Sequence, residues 1–325
     1  MVEFKRVDRM KKFKWAMQEI KWLMIGAVHI ITGKYIYNED VYAGKKVHTA
    51  KEGNDEIREY LSSDTPFAFL RYSYTEMEIV RRSITEQYFH IPVTRYFDWL
   101  DIFCKQGESA SEGAARYRDL MMDSYKQADM IGIWRNLHMG DALLDICDTG
   151  PDVYISRSEC LEPFRHENPW SEKLKGKKVL VVSPFSEAIK HQYSRRELLW
   201  ENKNVLPGFE LETEDAIWFY AGKRDERFGD WFEAFDYLYN AIMSHDFDVA
   251  ILGCGYFGFA LAAKIKEAGR QAIHMGGATQ LLFGIKGKRW ENHPTISKYF
   301  NEYWIRPDES LKPADDKNLD DGCYW

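Results

Sequence analysis

Cysteine is scarce in this chain of 325 residues, and it follows no pattern. The five, at positions 104, 147, 160, 254 and 323, form no Cys-x-x-Cys and no close pair. That excludes a disulfide framework and a cysteine zinc site. An odd, scattered set reads as reduced thiols of a cytoplasmic protein. The nine histidines form neither His-x-x-x-His nor His-Glu-x-x-His, so no zinc hydrolase motif is present. No apolar stretch is long enough to span a bilayer; the longest, 22–31, is interrupted by His29. No secretory signal reads at the start. Positive charge is not in excess: 44 Lys and Arg stand against 51 Asp and Glu, a formal net charge of −7. Nucleic acid is thereby argued against as a general partner. Internal repeats and low-complexity segments are missing too, which excludes a solenoid.

What is present supports a full core in one large or two ordinary domains: 45% of residues are hydrophobic. Aromatic residues reach 15%. They suit core and interface first, and a sugar-facing cleft second. The first 34 residues carry Lys5, Arg6, Arg9, Lys11, Lys12, Lys14, Lys21 and Lys34 against only Glu3, Asp8 and Glu19. Apolar residues are interleaved among them. This text predicts a basic amphipathic helix. Such a helix either lies on an anionic membrane surface or packs on the domain with a solvated basic face, and the second is slightly preferred.

The densest information lies at 248–290. A β-branched run (248–252) meets Gly253-Cys-Gly255-Tyr-Phe-Gly258. An Ala-rich segment (259–268) follows, Gly269 stops it, and a second apolar run (271–274) ends at Gly276-Gly277. This is strand, glycine turn, helix, strand, glycine turn. Glycines at the carboxyl ends of strands are where open α/β sheets bind ligands, and amides there favour phosphate. Elsewhere, strands are expected at 67–72, 129–134, 154–156, 179–182 and 216–220. Helices are expected at 76–89, 185–199 and 230–245. Residues 1–60 read as a helical extension with a polar break at 51–55, and 61–325 as the α/β domain. The alternation predicts a Rossmann-like, doubly wound, mainly parallel sheet. The tail after Pro307 reads as an acidic surface strap anchored by its aromatics.

Chemistry-bearing residues cluster at the expected strand ends. Arg71 could clamp a diphosphate, and Glu76 could act as a base or hold a metal. Ser183, before a helix start, could cap that helix or help present amides to a phosphate. Gly253, Gly255, Gly276 and Gly277 allow close approach of a ligand. His274 is a second candidate for proton transfer. Lys286, Lys288 and Arg289 lie in a glycine-bearing segment (284–290) that reads as a mobile anion-binding loop. The GxGxxG spacing also raises NAD, but the acid that would hold a ribose is replaced by His274. Asp246-Phe-Asp248 imitates a metal motif but sits at the wrong end of its strand.

Two segments carry a resemblance. Arg71-Tyr-Ser-Tyr-Thr-Glu76 resembles the end of the first strand, and Gln271-Ala-Ile-His-Met-Gly276 the late strand, of bacterial proteins with the GT-D type of glycosyltransferase fold. The resemblance covers roughly 66–325. It implies a nucleotide-sugar donor between these strand ends, with a glycan or lipid-linked acceptor, in polysaccharide or glycan assembly. It also implies a divalent metal, Mn or Mg, on an Asp-x-Glu pair. Here Tyr74 stands at the Asp position, and His274 replaces the Asp of the late strand. Only Glu76 remains, with Glu78 the one neighbour that could restore a pair. The expectation is therefore a glycosyltransferase with no firm metal site. A sugar-nucleotide or glycan binding protein without catalysis is the alternative, and an NAD-linked oxidoreductase is the third reading.

Overall fold

A computed structural model describes residues 2–33, 40–71, 73–133, 152–220, 223–312 and 323–325. Tyr72, Trp134 and most of the acidic tail, including Asp315, Asp316, Asp320 and Asp321, lie outside the described residues. A short antiparallel ribbon pairs β1 (Val41–Tyr42) with β2 (Lys45–Lys46). The main sheet has seven strands: β3 (Phe67–Arg71), β4 (Met130–Ile133), β5 (Tyr154–Arg157), β6 (Lys178–Ser183), β7 (Glu210–Asp215), β8 (Val249–Leu252) and β9 (Gln271–His274). Their order is β5-β4-β3-β9-β8-β6-β7, and every pairing is parallel.

The unbroken apolar text of β3, β6 and β8 follows from this arrangement, because a parallel sheet is covered on both faces. Alternate residues serve opposite cores. Ala68, Leu70, Leu180, Val182, Ala250 and Leu252 meet α3 (Tyr74–Phe89), α4 (Ala110–Lys126), α6 (Trp231–Ser244) and α7 (Gly258–Glu267). Phe67, Phe69, Val179, Val181, Val249 and Ile251 meet α2 (Ala50–Leu61), α5 (Ser186–Ser194), α8 (Ala278–Leu282) and aromatic residues of 290–325. The sheet is thus doubly wound, as its alternating text predicts.

Four expectations need correction. The polar run at 51–55 is no break: it opens α2, where Thr49 and Glu52 form a reciprocal capping box. Ile57 and Leu61 of that helix enter the second core, so the expected boundary at 60 falls inside a core element. The strand expected at 216–220 lies earlier, at Glu210–Asp215. Its alternating carboxylates are tolerated because β7 is the sheet edge, paired only with β6. Charge there also discourages pairing with another chain. Finally, the segment 284–290 is pinned rather than open. Lys286 N–H donates to Ile305 O (2.7 Å), Lys288 N–H to Trp325 O (2.9 Å) and Arg289 N–H to Cys323 O (3.0 Å).

The amino-terminal helix α1 (Val2–Thr32) lies along α3. Trp15, fully buried, donates from Nε1 to Thr85 Oγ1 (3.1 Å). Glu19 pairs with Arg81, which also holds Glu78. Among the described residues, no helix is long and apolar enough to cross a membrane.

Candidate functional site

Parallel strands present their carboxyl ends together. At the middle of the sheet β3 and β9 are neighbours, yet the chain leaves β3 toward β4 and reaches β9 from β8 on the other side. The connections diverge, and a crevice opens between them. A cavity of about 420 Å³ fills it. The ends of β3, β6, β8 and β9 supply Arg71, Ser183, Gly253 and His274 to its lining. The turns that follow supply Ser73, Glu76, Gly255, Gly276 and Gly277.

Arg71 is positioned by a missing side chain. Gly276 has φ +61, and a Cβ built there would lie 1.9 Å from an Arg71 guanidinium nitrogen. Any other residue would both strain the backbone and evict the guanidinium. Glu76 enters from the first turn of α3. Its carboxylate accepts the Ser73 N–H (2.5 Å), while Ser73 Oγ accepts the Glu76 N–H (3.4 Å). The carboxyl is 2% exposed. Burial pushes its pKa up to about 7, against the lowering pull of the Ser73 amide and Arg71. A buried carboxyl poised there suits proton transfer near neutral pH.

His274 takes a different part. Its ring fits beneath Gly258, where a Cβ would lie 2.4 Å from the imidazole. The third glycine of GxGxxG is therefore a packing glycine. Burial, reinforced by the Arg71 charge, pulls the His274 pKa down to about 3. A neutral imidazole of that pKa is a poor proton acceptor, so the base role expected of it falls to Glu76. Two buried polar atoms of the lining, His274 Nδ1 and Thr279 Oγ1, lack a hydrogen-bond partner among the described residues.

Of the other expected residues, Ser183 lines the cavity while its Oγ accepts the Phe185 N–H (3.2 Å), and Arg289 lines it over the Tyr324 ring (5.0 Å). Lys286 and Lys288 do not line it. Lys286 sits over Phe300, and Lys288 is exposed. Consecutive positions around a helical turn cannot all face one way. Glu78 is also absent from the lining, held by Arg81 (2.8 Å) and Arg82 (3.1 Å). A divalent ion normally draws on one or two free carboxylates beside a diphosphate. Tyr74 cannot supply one and Glu78 is engaged. Among the described residues no three acidic, His or Cys groups converge. The one carboxylate of the lining, Glu76, is itself spent on the Ser73 N–H, so the donor set does not fit such a metal. Asp246 and Asp248 hold Lys178 at the opposite end of the sheet.

Two solved structures are similar to this chain. Both are of domain of unknown function 1792. One, selenomethionine-substituted, covers 74% of this chain and 79% of its own at 11% identity, with a TM-score of 0.41. The other, described as having a distinct glycosyltransferase fold, covers 73% and 79% at 12% identity, with a TM-score of 0.40. Neither bears on what the cavity holds. No protein-family profile and no curated protein matches the chain.

Sequence reasoning missed the aromatic wall. Trp218, Phe219 and Tyr220 line the cavity, with Tyr74, Tyr256 and Tyr324. Trp218 stacks on Trp325 (5.9 Å), and Tyr256 on Trp99 (6.1 Å). The apolar run at 216–220, read as a strand, was the available signal: it directly follows the edge strand and bends over the strand ends.

Proposed function

We propose that the cavity binds a nucleoside-diphosphate sugar and that the protein transfers the sugar to a hydroxyl of a glycan or lipid-linked acceptor. The observation that carries this reading is one cavity holding two guanidinium groups, Arg71 and Arg289, beside the buried carboxyl of Glu76. Glycine turns allow a diphosphate to approach the backbone, and aromatic faces suit a base or a sugar ring. Glu76 takes the proton of the acceptor hydroxyl. That oxygen bonds to the anomeric carbon as the bond from carbon to phosphate oxygen breaks. The diphosphate leaves with the electron pair, and Arg71 and Arg289 meet the charge as it grows. No step is assigned to a metal, since the donor set does not fit one.

Binding without transfer is the second reading, favoured by the double duty of Glu76 as helix cap and by Tyr74 at the missing acid position. Release of nucleoside diphosphate from a panel of UDP- and GDP-sugars separates the two. The Glu76→Gln variant makes the test specific, because glutamine keeps a capping box but cannot accept a proton. Transfer predicts nucleotide release that rises with pH through about 7, as the carboxylate forms. It also predicts a fall of roughly 10²–10⁴-fold in the variant at unchanged melting temperature. Undiminished release by the variant, or binding of donors with no release by either protein, contradicts transfer.

A further inference from the structure

Helix α1 buries one face and leaves the opposite one bare. Trp15 and Ile25 turn inward. Met10, Phe13, Met17, Ile20, Met24 and Ile31 are all exposed and lie on a single stripe at helical spacing, with Phe13 67% and Ile31 82% exposed. Leu23, 72% exposed, and Ile30 widen it on one side. At 100° per residue this apolar face spans about 160°, broader than the seam of a two-helix coiled coil. Exposed Arg9, Lys14 and Lys21 lie in or beside it. Within residues 9–33 the one carboxylate is Glu19, and it is turned inward to Arg81.

We propose that this face of α1 docks the protein on an anionic lipid surface. The charge decides among occupants. A second copy on the same face would bring Arg9, Lys14 and Lys21 of both chains together, whereas acidic headgroups complement them. The apolar side chains enter the boundary between headgroups and acyl chains. No spanning segment is needed, and none is found among the described helices.

The placement of α1 links this face to the cavity. Lys12 lies over Phe89, Trp15 bonds Thr85 and Glu19 bonds Arg81, so α1 and α3 run antiparallel. With equal rise per residue in both helices, residues 23–26 come beside the start of α3. There Tyr74, 57% exposed, lines the cavity. A membrane-docked α1 therefore sets the cavity mouth near the lipid surface. The docking claim itself is independent of the transfer reading.

The test is flotation of the full chain with vesicles of phosphatidylcholine alone and of phosphatidylcholine mixed with phosphatidylglycerol. Binding to the mixed vesicles only, weakened by high salt, is expected. The triple variant Phe13→Gln, Leu23→Gln, Ile31→Gln should lose at least about tenfold in partitioning. Because all three side chains are exposed, its circular dichroism and melting temperature should match wild type. Failure of the folded wild type to float with either vesicle overturns the proposal. So does wild-type flotation by the triple variant. A concentration-dependent dimer in light scattering that the triple variant abolishes would give the face to a second copy instead, and also overturn it.

Discussion

Gly276 and Arg71 compete for one volume, and that pair shows how far single residues were legible. The glycine turn stood out in the sequence, but its reason did not. It keeps φ at +61 and leaves room for a guanidinium from the neighbouring strand. Gly276→Ala should therefore act at a distance, weakening nucleoside-diphosphate affinity about as much as Arg71→Ala does. It should also cost on the order of 1–2 kcal/mol of stability for the left-handed backbone. Calorimetric titration beside thermal melting checks both, and unchanged affinity in a folded Gly276→Ala protein would count against the arrangement. Lys286 and Lys288 failed the same reading for a simple reason. Charge density along a sequence does not say which way side chains turn, and of the three only Arg289, itself exposed, reaches the cavity lining. Glu76 and His274 differ likewise: both are buried at the cavity, but burial raises the pKa of a carboxyl and lowers that of an imidazole.

Among the elements, the long apolar strands and the helices between them were legible because both faces of a parallel sheet need hydrophobic cover. The edge strand β7 was not, since four of its six residues are carboxylates. The structure shows what holds those charges. His245, after α6, contacts Glu212 through Nδ1 and Glu214 through Nε2 (2.9 Å). Burial alone would lower the His245 pKa, but hydrogen bonds to Glu214 and Glu212 outweigh it, and the pKa is raised. The sign follows by linkage. A raised pKa stabilises the folded state fully below the unfolded value of about 6.5, and that contribution is lost as pH rises through the folded value. The pair is partly solvated, so the effect should be no more than about 1 kcal/mol. His245→Gln should lower the melting temperature by about 1–2 °C near pH 5.5, and the gap to wild type should narrow toward pH 9. A gap that stays constant with pH would show that His245 matters only for packing.

Across the whole molecule, the sequence pointed to strand ends as the site because glycines cluster where β8 and β9 finish. It could not show that the aromatic run after β7, and residues 323–325, fold over the same opening. Those contacts join segments far apart in sequence and leave no local periodicity. The cavity is a product of topology: diverging connections open a gap at the centre of the sheet, and the chain's later segments roof it. If that gap is a diphosphate site, its affinity rests on Arg71 and Arg289 rather than on an ion. Isothermal titration of UDP and GDP into the full chain and its Arg71→Ala variant, in chelator and then in Mn²⁺, tests this directly. Wild type should bind at least one nucleotide equally with and without Mn²⁺. The variant should bind it roughly 10–150-fold more weakly, the loss of a charge-assisted contact of about 1.5–3 kcal/mol. No binding by wild type, affinity that appears only with Mn²⁺, or an unchanged constant in the variant would contradict it.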